Sequence, residues 1–581
     1  MQQANPRLQR KPRGTATDIE AQNKRGVLFM FAPHKKSSIA LLVLMLMSLV
    51  LSSCNQPSSP AASSSTPGSS STPSETNNDV MFTIAQAGDI QKLTPFLSTD
   101  ARSGMVINLI SEGLLGYEDN YILVPKLATS LGEYSEDGLT LTFPLREGVK
   151  WHDGSDFTSA DVKYTFEAIL DPVTKSNQRT QFDFIESIET PDDLTVVFHF
   201  NKTFGPAQSR FTMGIVCKSY VEENGYAANG YTDYNGSAVG TGPYKMVEWQ
   251  PSIHVMLEAN EEYWGGAPEI KKVRVRPIPD NSVRLAAFEQ GEVDFVFSIT
   301  PEEVERISSD EKFTLFSYPP FRISYMTLNT QYGLLQDLAL RQAITYATDK
   351  QTMIDSVLMG YGQLAVSPYS PSHEYFNPEV GEPYPYDPAK AVETLENAGY
   401  TLGSDGIYIN PNGDRASFKT FCMSDNNPII DEAVAQLIQA WLKEVGIELE
   451  IVSITSAELY DLMDAVIAGT RPEEDYPSMI GSMGNGVDPD LIRTFHTKGQ
   501  LNDYRYMNPE ADVLLEKGTE YFTYEDRKPI YDDLQVLLAN DLPCLFLFYA
   551  DTNSAVSNKF EGMNNTPYGQ INKLHQITIA K

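Results

Sequence analysis

Residues 139–172 read LTLTFPLREGVKWHDGSDFTSADVKYTFEAILDP, and this stretch decides the fold. Apolar and polar side chains alternate from Leu139 to Arg146, which is the period of a half-buried strand. Because Pro144 lacks an amide donor, we expect this strand to lie at a sheet edge or to carry a bulge. Thr158 and Asp161 form a capping-box pattern that begins an apolar-striped helix. The stretch therefore predicts a strand, a turn and a helix.

Further strands alternate with helices along the chain. Residues 282–297, SVRLAAFEQGEVDFVF, predict a helix, a glycine turn and a strand. Residues 429–451, IIDEAVAQLIQAWLKEVGIELEI, predict a helix to about residue 445 and then a strand. This alternation indicates an α/β architecture. His152 lies in a glycine turn between the first strand and helix, where a lone histidine is more often structural than catalytic.

The composition excludes some classes of function. The chain has 581 residues, enough for two or three domains, and 44 Lys and Arg against 77 Asp and Glu give a net charge of −33. Nucleic-acid binding needs clustered basic side chains, so we expect no nucleic-acid partner.

Motifs of catalysis are absent from the sequence. It contains neither HExxH nor GxSxG, and its seven histidines are scattered without the spacing of metal ligands. We therefore expect no enzyme, no catalytic residue, no metal and no cofactor. A secreted lipoprotein hydrolase is the alternative from another class, since so acidic a chain contains many uninformative carboxylate pairs.

Residues 1–53 predict a secretory signal. Lys35-Lys36 precede an apolar run from Ile39 to Leu51, which is short for a membrane span of roughly 20 residues. The sequence LSSC that ends at Cys54 resembles a bacterial lipobox, and this implies that Cys54 is lipidated and becomes the mature N-terminus. The true start could be Met1 or Met30.

Residues 54–79 predict a tether rich in Ser, Pro and Thr. Nine Ser, four Pro and three Thr stand between residues 55 and 79, a composition that cannot bury enough apolar surface to fold. Asn55 is not the Asp that marks inner-membrane retention in Gram-negative cells. We expect a lipid-anchored extracytoplasmic protein on the outer leaflet of a Gram-positive cell, or on the periplasmic side of a Gram-negative one.

The other cysteines are Cys217, Cys422 and Cys544, an odd number without a CxxC motif. One disulfide among them is possible, and the sequence does not determine the pair. A metal site built from these thiols is not expected.

The stretch also carries a resemblance. PKLATS from Pro125, EDGLTLTFPLREGVKWHDG and FTSADVKYTFEAI resemble the signature of the family 5 solute-binding proteins. These are extracytoplasmic receptors of ABC importers for oligopeptides, dipeptides, nickel complexes and some glycans. The resemblance implies a two-lobed α/β fold, similar to periplasmic binding proteins, with a hinge and an extra small domain in the first lobe.

The resemblance also implies the division of the chain. It implies lobe I at 80–123, the small domain at 124–239, the lobe I continuation at 240–330, lobe II at 331–545 and the return to lobe I at 546–581. Two crossings near 330 and 545 would form the hinge, at Asn329 and Phe548.

The ligand site is expected near residues 479–497, MIGSMGNGVDPDLIRTFHT. Peptide-binding members of the family have an Asp here that pairs with the ligand's α-ammonium, preceded by an aromatic residue. Aligned on Asp488-Pro489-Asp490, these positions hold Asn485 and Ser482. Asp488 could take the role or form only a turn, or the ligand could lack a free amine. The predicted pocket residues are Ser482, Met483, Asn485, Asp488 and Tyr549.

These observations predict a monomeric receptor that captures an oligopeptide, a dipeptide or a similar solute between its lobes. Its partners would be an ABC permease complex and, through the lipid anchor, the membrane. The same receptor role for a glycan or a nickel or other metal chelate remains open. Closure requires the ligand to stabilise the closed state.

Overall fold

The computed structural model describes residues 80–581 except 232–233, 235–237, 426–427 and 567–569. The predicted signal, the lipidation site at Cys54 and the tether lie outside the described residues. Within the described part of the chain, no helix is long and apolar enough to cross a membrane.

Strands and helices alternate along the described chain, as the sequence predicts. The strands are β1 Met81–Gln86, β2 Leu115–Tyr117, β3 Leu123–Pro125, β4 Glu133–Tyr134, β5 Thr140–Pro144, β6 Ile185–Asp192, β7 Thr195–Phe200, β8 Tyr244–Gln250, β9 His254–Ala259, β10 Lys272–Pro277, β11 Phe295–Phe297, β12 Phe313–Tyr318, β13 Arg322–Thr327, β14 Gly362–Leu364, β15 Thr401–Leu402, β16 Tyr408–Ile409, β17 Ser417–Met423, β18 Glu448–Ile454, β19 Met479–Gly484, β20 Cys544–Ala550, β21 Thr552–Ser557, β22 Phe560–Glu561 and β23 Thr578–Ile579. The α-helices are α1 Ala101–Ile110, α2 Ser159–Leu170, α3 Ala207–Arg210, α4 Lys218–Glu223, α5 Asn281–Glu289, α6 Pro301–Ser308, α7 Leu338–Ala347, α8 Lys350–Val357, α9 Pro388–Asn397, α10 Pro428–Glu444, α11 Ser456–Ile467, α12 Ile492–Phe495, α13 Pro509–Glu520 and α14 Tyr524–Asp541.

Residues 139–172 form the predicted strand and helix. The capping box is present, and the Asp161 carboxylate accepts a hydrogen bond from the Thr158 amide at 2.9 Å. The prediction of an edge or bulged strand is wrong, because β5 pairs with β4 on one side and β7 on the other, both without a register shift. Pro144 is the last residue of β5 and lies beyond its two residues that pair with β4. Its missing amide therefore breaks no bond to β4.

A four-stranded sheet in the order β4-β5-β7-β6 lies inside the segment for which the sequence predicts a small domain. Its core is aromatic. Phe198 stands between Phe166, at 5.2 Å between ring centroids, and Phe211, at 4.4 Å. All three side chains are fully buried, which makes this cluster the main apolar support of the small sheet.

A seven-stranded sheet has the order β12-β21-β11-β1-β10-β9-β8. Its central strand β1 is parallel to both β10 and β11, and Phe82 and Ile84 of β1 have no exposed surface. Burial on both faces explains why neighbouring residues of β1, such as Ile84 and Ala85, are both apolar. We call the part built on this sheet and the four-stranded sheet the first lobe.

A six-stranded sheet in the order β14-β20-β13-β19-β17-β18 forms the second lobe. Strand β17 is parallel to β18 and β19, whereas β13 is antiparallel to β19 and β20. Helix α10 packs on β17 and β18 through a fully buried row that includes Ala435, Ile438 and Leu442. The sequence predicts this helix and the strand that follows it.

The chain passes between the two lobes twice. Strand β12 leads through residues 319–321 into β13, and β20 leads through Asp551 into β21. The sequence prediction had placed these crossings near 330 and 545. Asn329 and Phe548 both lie in the second lobe, Asn329 buried after β13 and Phe548 buried within β20. The difference arises because the resemblance indicates the crossing strands only approximately, whereas the chain changes sheets before β13 begins and after β20 ends.

His152 connects the turn after β5 to the turn before β8. Its Nε2 lies 2.9 Å from the Gly242 carbonyl oxygen, and the Gly240 amide donates to its Nδ1 at 3.2 Å. This arrangement requires the neutral ring with the proton on Nε2. Burial lowers the pKa of His152 to about 4. The structural interpretation of His152 is confirmed.

Cys217, Cys422 and Cys544 are buried free thiols, so the possible disulfide is not formed. Burial raises the pKa of all three, that of Cys422 to about 12. These side chains therefore act as small apolar groups.

The buried neutral His152 makes stability dependent on pH. In the unfolded chain its pKa returns to about 6.5, so the unfolded state binds more protons as the pH falls below that value. We expect the free energy of unfolding to fall between about pH 7 and pH 5, with a contribution of about 1–2 kcal/mol from this residue. Chemical denaturation of wild type and His152→Gln across this range measures it. Identical pH slopes for the two proteins would contradict the prediction.

Candidate ligand-binding site

The edges of the two sheets that carry the interlobe connections face each other. In the second sheet Arg322, at the start of β13, pairs with Gly484 at the carboxyl end of β19. In the first sheet Phe297, at the carboxyl end of β11, pairs with Ser554 near the start of β21. Open α/β sheets bind ligands outside the carboxyl ends of their strands. We therefore place the candidate site between these two edges.

Two predicted pocket residues, Ser482 and Met483, lie near the end of β19. The Ser482 hydroxyl accepts a hydrogen bond from Arg322 Nε at 3.0 Å. Met483 points to the opposite face of the sheet, where its sulfur lies 3.9 Å from the Tyr504 hydroxyl. Ser482 thus fixes a guanidinium at the edge that faces the first lobe, and Met483 belongs to the packing below it.

Asn485, where the resemblance leads one to expect an aspartate, is engaged by its own lobe and the connection. Its backbone N–H donates to the Phe321 carbonyl oxygen at 2.7 Å. Its side-chain nitrogen donates to the carbonyl oxygen of Pro368. The side chain of Asn485 therefore holds two loops together at the lobe-facing edge.

Asp488 forms a bidentate ion pair with Arg527, with oxygen–nitrogen distances of 2.7 and 2.8 Å. The two side chains are only 11% and 6% exposed. Arg527 also donates to the Gly518 carbonyl oxygen at 2.9 Å and lies within 6 Å of the rings of Tyr375 and Tyr531. Asp488 raises the pKa of Arg527 against the effect of burial. Asp488 is thus committed to an internal pair.

The next acid, Asp490, faces the first lobe. Its carboxylate lies 3.8 Å from the guanidinium of Arg210, the last residue of α3. Burial raises the pKa of Asp490, and the charge of Asp488 adds to the rise. This long ion pair is the electrostatic contact between the small sheet's domain and the second lobe.

A second contact joins the small sheet to the loop between α13 and α14. The Gly205 amide donates to the Thr519 carbonyl oxygen at 2.6 Å. The ring of Tyr134 stacks on that of Phe522 with centroids 4.5 Å apart. A Cβ atom on Gly205 would lie 1.8 Å from the backbone oxygen of Tyr521. Only glycine allows this approach of the two lobes.

Aromatic rings surround the first connection. Tyr121 of the first lobe lies 4.5 Å from the ring of Phe321, and Phe321 lies 4.7 Å from the ring of His373. The Nε2 of His373 is 3.1 Å from the Gly486 carbonyl oxygen, and burial lowers the pKa of His373 to about 4. Burial raises the pKa of Tyr117 to about 12, and the charge of Asp488 adds to the rise. These rings close one end of the candidate site.

Tyr549, also predicted to line the pocket, is fully buried. Its hydroxyl lies 2.7 Å from the Ser367 carbonyl oxygen and 2.6 Å from that of Tyr369. It supports the segment that carries Pro368, and through it Asn485, from beneath. The structure therefore places it below the site and not on its surface.

Asp431, which no sequence motif marks as a site residue, lies in the first turn of α10 at the same edge. The residue is only 7% exposed. Burial raises the pKa of its carboxyl to about 7, and the charge of Arg322 opposes the rise. An acid at the start of a helix is common, so the sequence gives no sign of this burial.

The first lobe has a cavity of about 240 Å³ beside Tyr117 and Tyr121. On its wall Glu112 accepts hydrogen bonds from the Tyr263 hydroxyl at 2.7 Å and from Trp264 Nε1 at 2.8 Å. Burial raises the pKa of Glu112, and these donors offset part of the rise. The cavity therefore places polar side chains of the first lobe next to the rings of Tyr117 and Tyr121.

Two lobes joined by two connections, with a polar site between them, define a solute-binding protein. Residues 123–500 match the family described as bacterial extracellular solute-binding proteins, family 5 Middle, and the chain belongs to this family. The predicted family and fold class are confirmed.

Relatives match over almost their full lengths. The chain is 29% identical to the glutathione-binding protein GsiB of Pectobacterium atrosepticum, over 83% of this chain and 91% of that one. It is 25% identical to the oligopeptide-binding protein AppA of Bacillus subtilis, over 94% and 99%. The solved structure of NikZ from Campylobacter jejuni in complex with Ni(L-His) has a TM-score of 0.69 and 26% identity and covers 86% of this chain and 99% of its own.

The Asp488–Arg527 pair predicts a large loss of stability on Asp488→Asn. Removing one partner leaves a buried guanidinium without its counter-charge, and we expect a loss of about 3–5 kcal/mol in the free energy of unfolding. Urea denaturation measures the loss. The control is Asp461→Asn at an exposed position of α11, for which we expect a change within about 0.5 kcal/mol. Equal effects of the two substitutions would contradict the structural role of the pair.

Proposed function

We propose that the chain is an extracytoplasmic substrate-binding lipoprotein of an ABC importer that captures oligopeptides or dipeptides between its lobes and delivers them to the permease. The observation that carries the proposal is the polar site between two lobes in a member of family 5. The peptide ligand is favoured by the relatives, one named for oligopeptides and one for glutathione, itself a modified tripeptide.

The proposed mechanism is closure of one lobe on the other. The connections at 319–321 and Asp551 supply the bending points. The contacts of Gly205 with Thr519 and of Arg210 with Asp490 form as the lobes approach. A ligand that touches both lobes stabilises the closed state, and the permease then accepts that state.

Location and assembly belong to the same proposal. Cys54 carries the lipid, residues 55–79 give the receptor reach from the membrane, and the receptor acts as a monomer. The net charge of −33 supports this location, since a strongly acidic surface keeps an exposed domain dispersed. Mass spectrometry of the intact protein from membranes, with a diacylglyceryl mass on Cys54, tests the anchor.

The alternative ligand is a non-peptide solute such as a glycan or a metal chelate. The similarity to NikZ, solved with Ni(L-His), supports it. A hydrolase is not proposed, since the family consists of binding proteins.

Native mass spectrometry of the full-length protein tests the ligand class. The protein is purified from cells grown in rich medium and measured before and after mild unfolding. We expect a series of co-purified masses that correspond to short peptides. A single sugar or chelate mass would overturn the peptide assignment and leave the receptor function in place.

Closure predicts an effect of Gly205→Ala. The added Cβ would meet the Tyr521 carbonyl oxygen and hold the lobes apart. We expect a larger radius of gyration than wild type in small-angle scattering, with an unfolding temperature that is little changed. Gly333→Ala, where a Cβ has open space around it, is the matched control. An unchanged radius for Gly205→Ala would contradict closure through this contact.

A further inference from the structure

Asp431 stands at the edge of the second sheet that faces the first lobe. It follows β17, whose carboxyl end lies beside β19 in the same parallel pair. Its backbone oxygen lies 3.8 Å from the sulfur of Cys422, one residue before the end of β17, which fixes the first turn of α10 against the sheet. The carboxyl group is therefore positioned by rigid elements and not by a loop.

The carboxylate of Asp431 has no partner in the described part of the chain. No hydrogen bond to it is found among the described residues, although the residue is 93% removed from solvent, being 7% exposed. Removing most of a charged residue from water without a compensating partner costs free energy. A cationic group of a ligand would supply such a partner.

Arg322 places a positive charge near Asp431, but it is not the hydrogen-bonding partner that the carboxylate lacks. Its guanidinium donates to the Ser482 hydroxyl, with Nε at 3.0 Å. Among the described ion pairs, none joins Arg322 to Asp431. The favourable charge of Arg322 reaches the carboxylate without contact.

Asp488, Asn485 and Asp490, which follow β19 at this edge, are already engaged. Asp488 is held by Arg527 in a bidentate pair, and Asp490 faces Arg210 of the first lobe. Asn485 carries no charge, and its side-chain nitrogen is bound to a backbone carbonyl oxygen. Asp431 differs from these three residues, because the structure shows no such partner for its carboxylate among the described residues.

We propose that Asp431 is the carboxylate that receives the cationic group of the ligand, a primary ammonium or a guanidinium, in the site between the lobes. The inference rests on the proposed function. For a peptide, the cation is the N-terminal ammonium or the side chain of Lys or Arg. A charge-assisted hydrogen bond in a closed cleft gives the specificity that the amide of Asn485 does not supply.

An interaction with the dipole of helix α10 alone does not account for the raised pKa of Asp431. An acid in the first turn of a helix interacts favourably with the helix dipole, and this interaction lowers its pKa. Here burial raises the pKa of Asp431 to about 7. The helix therefore does not compensate the charge, whereas a bound cation does.

The test measures binding of alanine peptides of two to five residues by titration calorimetry at about pH 7.5, where the carboxyl is mostly ionised. Each peptide is used free and N-acetylated, and a third set is N-acetylated with one Lys in the sequence. The proteins are full-length wild type, Asp431→Asn and the control Glu432→Gln. Glu432 is the next residue of α10, and its carboxylate lies 3.4 Å from the Ser453 hydroxyl.

We expect wild type to prefer free over acetylated alanine peptides by about tenfold to hundredfold. Asp431→Asn should remove this preference, and Glu432→Gln should keep it. If the preference appears only with the Lys peptides, the side chain is the source of the cation. A preference that survives Asp431→Asn, or an equal loss for free and acetylated peptides, overturns the inference and leaves the proposed function intact. Failure of wild type to bind any peptide overturns both.

Thermal unfolding without peptide separates a ligand-binding role from a structural one. Because Asp431→Asn removes a desolvated charge, we expect its unfolding temperature to equal or exceed that of wild type. A marked decrease would show that Asp431 stabilises the fold and would overturn its assignment to the ligand.

Discussion

The pairing of β13 with β20 is the constraint on which the rest of the structure depends. These neighbouring strands carry both interlobe connections, so the two passages of the chain lie side by side. The arrangement brings the carboxyl ends of the parallel strands in each sheet to a common edge. Ser482, Arg322 and Asn485 reach that edge because β19 ends there and β13 begins there. The site is therefore a product of the topology before any side chain is considered.

The charged side chains at this edge have two roles: some stabilise the fold, and one is available to bind a ligand. The bidentate pair of Asp488 with Arg527 is satisfied inside the second lobe and holds the segment after β19 in place. Asp431 is buried, and no described residue gives its carboxylate such a bidentate partner. A receptor gains selectivity from this division. The Asp488–Arg527 pair is already satisfied and does not bind the ligand, whereas Asp431, which has no such partner among the described residues, is available to a cationic group.

The sequence predicts the family, the fold class and the helix that starts after Thr158, because those depend on local periodicity and a long motif. It predicts less of the site. Asn485 and Asp488 do lie at the lobe-facing edge, but their partners come from distant parts of the chain, as Arg527 shows. Tyr549 was expected to line the pocket and lies beneath it. The role proposed for Asp431 depends on its burial and on the lack of a partner among the described residues, which no spacing of residues encodes.

Only Asp551 separates a strand of the second sheet from a strand of the first. Its amide donates to the Tyr361 carbonyl oxygen at 3.1 Å, so this connection is short and also anchored. An added or lost residue here would shift the register of β20 or β21 and turn buried side chains outward. We therefore expect changes of length to be tolerated in the loops away from this connection and not within it. The ligand range of such a receptor can diversify by substitution at the facing edges while the joint between the lobes keeps its length.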